Sequence, residues 1–71
     1  MKATIKYRDV YSGKLRQKTI EVDKNEPNYI VREFCKNTRL PWWTYIFNVK
    51  CGRYEYQWRG IAEDAGVPRG V

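Results

Sequence analysis

Two stretches of period-two hydropathy flank one stretch of helical period, and that order constrains the chain more than any other feature. Over residues 2–10, Ala3, Ile5 and Tyr7 alternate with Lys2, Thr4, Lys6 and Arg8, as in a half-buried strand. Ser12-Gly13 reads as a tight turn. A two-residue loop there sets Ile5 opposite Ile20, Ala3 opposite Val22 and Asp9 opposite Arg16, so that apolar meets apolar and acid meets base. Asp23-Lys24-Asn25-Glu26-Pro27 supplies polar cap residues and a proline suited to a first helical turn. Ile30, Val31, Phe34 and Cys35, with Thr38 a turn later, then form an apolar stripe, and the helix ends near Leu40, before Pro41.

Alternation returns over residues 42–59, with Cys51-Gly52 as the turn. Tyr45, Phe47 and Val49 then share a face with Tyr54, Tyr56 and Trp58. The opposite face, from Thr44 to Arg59, is polar except for Ile46 and is expected to meet solvent. A single helical turn is expected at residues 61–65, stopped by Gly66 and Pro68. The expectation is an α+β fold, a two-layer ββαββ arrangement with one helix on one face of a four-stranded sheet and a short C-terminal turn or helix. A grasp-like topology, in which a helical crossover brings strands of the two hairpins side by side, competes with a plain antiparallel meander.

At 71 residues the chain is read as a single domain, 1–71, with a thin core. Aromatic residues make up 15% of it and carry much of the available packing area, so the ladder Tyr45, Phe47, Tyr54, Tyr56 and Trp58 is assigned to the core, facing Ile30 and Phe34. The segment Cys51-Gly52-Arg53-Tyr54-Glu55-Tyr56-Gln57-Trp58 superficially resembles the stacking strands of an RNA-recognition sheet. It lacks that motif's spacing, however, and a ββαββ order is not that family's strand order.

Catalysis is poorly supplied. There is no histidine, and Ser12 is the single serine, so Ser-His and Cys-His arrangements are impossible. A ribonuclease would have to draw on Arg53, Glu55 and Arg59, which occupy solvent-facing positions of a charged strand. No enzyme activity and no cofactor are expected. Cys35 and Cys51 are too few for a structural zinc site and lack the density of a disulfide scaffold, so both are expected to be reduced thiols. No apolar run reaches the roughly 20 residues of a membrane span, and no signal-peptide pattern opens the chain, so a cytoplasmic protein with no membrane or metal partner is expected.

What remains is binding. A net charge of +6 favours polyanions or acidic protein faces, although it also serves solubility. The first candidate surface is the β-hairpin: Lys14, Arg16, Lys18 and Tyr11, with Tyr7, fall on the helix-facing side toward its tip, and Lys6 and Arg8 lie on the other side. Such cations suit phosphate contacts, and tyrosine faces suit base stacking. The same charges would also protect an edge strand from pairing. The second surface is Trp42 and Trp43 with Arg39 and Arg59, since adjacent strand residues point to opposite sides and one tryptophan must leave the core. This is the composition of protein-interface hot spots.

The leading expectation is a non-catalytic nucleic-acid-binding module. The alternative is a small inhibitor or adaptor, of the kind encoded by phages and mobile elements, that docks on an acidic surface of a host protein. An open strand edge would also allow a homodimer. Ile61-Ala62-Glu63-Asp64-Ala65-Gly66-Val67 resembles the first helix and turn of a repressor-type helix-turn-helix, but the match excludes the recognition helix, so no DNA reading is drawn from it.

Overall fold

The early alternation folds into β1 (Lys2–Arg8) and β2 (Leu15–Glu21), an antiparallel hairpin, in the computed structural model, which describes residues 1–69. Its register differs from the expected one: Ala3 faces Ile20, Ile5 faces Lys18 and Tyr7 faces Arg16. The cause is the loop. The Asp9 carboxylate accepts the Tyr11 N–H at 2.8 Å, the Asp9 carbonyl accepts the Gly13 N–H at 2.7 Å, and the Asp9 N–H donates to the Lys14 carbonyl at 2.9 Å. These bonds hold a wider loop than Ser12-Gly13 alone, with Gly13 at φ +74° as its left-handed residue. Because the slip is two residues, every side chain keeps its expected face. Arg16 still reaches Asp9 diagonally, Nε to Oδ2 at 2.9 Å.

Helix α1 (Pro27–Thr38) starts as the sequence indicates. Glu26 caps it, accepting the N–H groups of Asn28 at 3.0 Å and Tyr29 at 2.8 Å, and Pro27 takes the first position. Ile30, Val31, Phe34 and Cys35 are its buried face. Arg39 ends it in the left-handed conformation, φ 58°, which a non-glycine residue adopts at a cost of roughly 1–2 kcal/mol. The chain then turns at Pro41, whose carbonyl accepts the Thr44 N–H at 3.1 Å.

The crossover delivers β3 (Tyr45–Cys51) antiparallel to β1, followed by β4 (Tyr54–Tyr56) and β5 (Gly60–Ile61), both pairing with β3. The strand order is β2-β1-β3-β4, an open antiparallel sheet with β5 also on β3 and one helix packed against it. A 3-10 turn, Ala62–Ala65, closes the fold against α1. Arg32 holds it there, donating to the Ala65 carbonyl at 2.8 Å.

The second hairpin departs from expectation in three ways. Its turn is Gly52-Arg53 rather than Cys51-Gly52, because Cys51 pairs with Tyr54 and Gly52 takes the positive φ of 62°. β4 stops at Tyr56, and the Arg59 end of the predicted strand leaves the ladder before β5 rejoins it. Most consequentially, β3 is bulged at Phe47, so that Lys6 pairs with Asn48 but Tyr7 pairs with Ile46. One extra residue reverses the alternation N-terminal to it.

The aromatic ladder is therefore not the core. Thr44 and Ile46, expected to face solvent, are fully buried, whereas Tyr45 and Phe47 turn to the face away from the helix. Tyr54 is exposed at the edge strand, and Tyr56 and Trp58 pack only partly against the core. The layer under α1 is instead Ala3, Ile5 and Tyr7 with Ile46, Val49 and Cys51, and Tyr7 meets Phe34 ring to ring at 4.9 Å. Ala62 and Ala65 seal its end. Full burial of each large apolar side chain stabilises the fold by about 1.5–3 kcal/mol. Among the described residues, no helix is long and apolar enough to cross a membrane.

Candidate functional site

Alternation along β1 sends Lys2, Thr4, Lys6 and Arg8 to the side of the sheet that α1 does not cover. β2 extends that side with Leu15, Gln17, Thr19 and Glu21, and β3 with Asn48 and Lys50. The Thr4 and Thr19 hydroxyls bond to each other at 2.9 Å, and Asn48 donates to Glu55 at 3.0 Å, which fixes the centre of this face. Toward the other end, the bulge places two aromatic rings on it. Tyr45 and Phe47 meet with centroids 4.7 Å apart and planes tilted by 58°. The Arg8 guanidinium stands 5.9 Å from the Phe47 centroid, within cation–π range. Lys6, Leu15, Gln17 and Phe47, together with Tyr7 and Arg16, line a depression of about 470 Å³ at this end of the hairpin. Neither Lys6 nor Arg8 enters an ion pair among the described residues.

The predicted hairpin residues are thus divided. Lys6 and Arg8 sit on the uncovered face beside the rings. Arg16 and Lys18, paired with Tyr7 and Ile5, lie on the helix side of β2, where they remain exposed because α1 packs chiefly over β1 and β3. Lys14 closes the loop. Tyr7, expected to flank these cations, is buried under Phe34 and offers no face for stacking. Tyr11 is 81% exposed at the loop, but it borders a different concavity.

That second concavity, about 830 Å³, lies at the C-terminal end of α1 and gathers Arg39, Trp42 and Trp43. Trp43 is half exposed. Trp42 is partly covered by Arg69, whose guanidinium lies 4.2 Å above its ring while donating two hydrogen bonds to Glu63. The Arg69 hydrogen bond holds the Glu63 carboxyl below its ordinary range. Arg59 does not join this group; it is exposed on the segment between β4 and β5.

Cys35 and Cys51 are buried free thiols, and burial pushes the Cys35 thiol up to about 11, so it is protonated at neutral pH. Among the described residues, no cluster of three or more His, Cys, Asp or Glu side chains could hold a metal. The residues that sequence reasoning missed on the open face are Tyr45 and Phe47. The available signal was Ile46, the one apolar residue on a nominally polar strand face. Comparison with protein-family models, with curated proteins and with solved structures finds no match to the chain.

Proposed function

We propose that the protein is a non-catalytic module that binds single-stranded nucleic acid on the uncovered face of its sheet and over the β2 edge. The observation that carries this reading is the Tyr45–Phe47 ring pair, set beside Arg8 and Lys6 on that face. Aromatic rings on an open sheet stack unpaired bases at about 1–3 kcal/mol per base, with little sequence preference. Unpaired cations beside them neutralise phosphates and release counterions. A strand leaving the rings over β2 would meet Arg16, Lys18 and Lys14 on the far side of the same edge strand, so both halves of the basic hairpin serve one path. Duplex DNA fits less well, because its bases are unavailable to the rings.

The test is binding of purified protein to single- and double-stranded DNA and RNA across a salt series. Single strands are expected to bind more tightly than duplexes, with log K falling by about 0.7 per phosphate neutralised for each decade of salt. The combined change Lys14→Glu, Arg16→Glu and Lys18→Glu is expected to flatten that slope. Equal binding in the triple variant, or none at low salt, would overturn the reading.

A further inference from the structure

The concavity at the end of α1 has a different chemistry from the open face. Its walls include Leu40, Pro41, Val67 and Pro68, and its rim carries Trp43 and Tyr11, so it offers apolar depth beneath aromatic edges. Three cations line it, Arg32, Lys36 and Arg39, and Arg32 is already engaged on the Ala65 carbonyl; Arg69, over Trp42 at the edge, is engaged on Glu63. Lys36 and Arg39 enter no ion pair among the described residues, and Glu33 is the one carboxylate among the described lining residues.

We infer that this groove docks an acidic protein segment carrying a large apolar anchor. Charge complementarity selects the sign of the occupant: Lys36 and Arg39 outnumber Glu33, and a second copy of a chain with net charge +6 would be repelled. Helix polarity selects its class. The groove borders the C-terminal end of α1, where partial negative charge of roughly half an electron repels phosphate and carboxylate alike, while carbonyls without intrahelical partners call for N–H donors that a phosphate backbone does not supply. A peptide instead brings backbone N–H donors to those carbonyls, an anchor for the apolar walls, and carboxylates for Lys36 and Arg39. Trp, Tyr and Arg are the residue types that carry most binding energy at such sites. This site is separate from the open sheet face and stands or falls independently of it.

The probe is a library of short random peptides selected on the full chain, with the enriched sequences resynthesised and titrated by fluorescence anisotropy. Enrichment of acidic sequences containing Trp, Phe or Leu is expected. Affinity should fall about tenfold or more in Trp43→Ala and in Arg39→Glu, the equivalent of 1.4 kcal/mol or more each. Both positions are exposed, so both variants should fold. Phe47→Ala should leave peptide binding unchanged while weakening oligonucleotide binding, which separates this site from the open face. Absence of enrichment, enrichment of neutral or basic peptides, indifference to both groove substitutions, or displacement of the peptide by oligothymidylate would each overturn the inference.

Discussion

The two faces of the sheet are built from the same strands to opposite ends. Under α1, β1 and β3 present Ala3, Ile5, Ile46, Val49 and Cys51, small and aliphatic side chains, with Tyr7 meeting Phe34 of α1 as the aromatic pair. On the uncovered face those strands present Lys6, Arg8, Tyr45 and Phe47. A chain of this size gains little by leaving rings in water, since each could bury about 150–250 Å². Aromatic content thus divides by face: Tyr7 and Phe34 close the aliphatic core, whereas Tyr45 and Phe47 leave ring area on the uncovered face for contact with something else.

The sharpest way to break this contrast is to truncate one ring on each face. Phe34→Ala is expected to cost about 3–5 kcal/mol in chemical denaturation, enough to unfold most of a domain this small. Phe47→Ala is expected to cost less than about 1 kcal/mol, since its ring is only partly covered. Equal costs would mean that both faces are structural.

Binding should show the reverse order. With the fold intact by circular dichroism, Phe47→Ala and Tyr45→Ala are each expected to weaken affinity for an oligothymidylate by about 5- to 150-fold, the range set by losing one stacked base. A change within error in both would remove the ring pair from the site.

Thiol chemistry sharpens the comparison on the covered side. Burial raises the Cys35 thiol to about 11 from an ordinary 9, so the folded state holds its proton more tightly than the unfolded one. The resulting stability is fully present below pH 9 and is lost as pH rises from 9 toward 11. Alkylation by iodoacetamide at neutral pH should therefore be slow in native protein and rapid in denaturant; fast native modification would show that this layer opens readily.

The smallest effect expected is at the surface, where Arg69 covers Trp42. Its hydrogen bond lowers the Glu63 carboxyl, so the contact is present above the ordinary carboxylate range and is released as pH falls below it. Acid titration should change tryptophan emission without loss of helical ellipticity, and Glu63→Gln should abolish that titration step.

Much of the fold was legible in residue order. The helix, from its Glu26 cap and Pro27 to its apolar stripe, follows from local chemistry, and so do the hairpins and the terminal turn. Two events escaped for physical reasons. The Asp9 loop widened because a side-chain carboxylate captured a backbone N–H, which a simple turn pattern does not anticipate. The bulge at Phe47 has no residue signature of its own; it is set by the partner strand, β1, whose apolar face needed Ile46. That single inserted residue moved two aromatics from the presumed core to the open face, and with them the centre of the candidate site. The basic residues Lys6 and Arg8 were legible because alternation on β1 is unbroken. The grouping of Tyr11 with Trp42 and Trp43 was not, since it depends on where two distant loops meet.

The open-face reading is tested most directly by titrating isotopically labelled protein with oligothymidylate and following backbone amide and aromatic ring resonances. Shifts are expected at Lys6, Arg8, Leu15, Tyr45 and Phe47, extending to Arg16 and Lys18, with Ile30 and Phe34 unmoved. Shifts confined to Arg39, Trp42 and Trp43, or none at all at low salt, would contradict it.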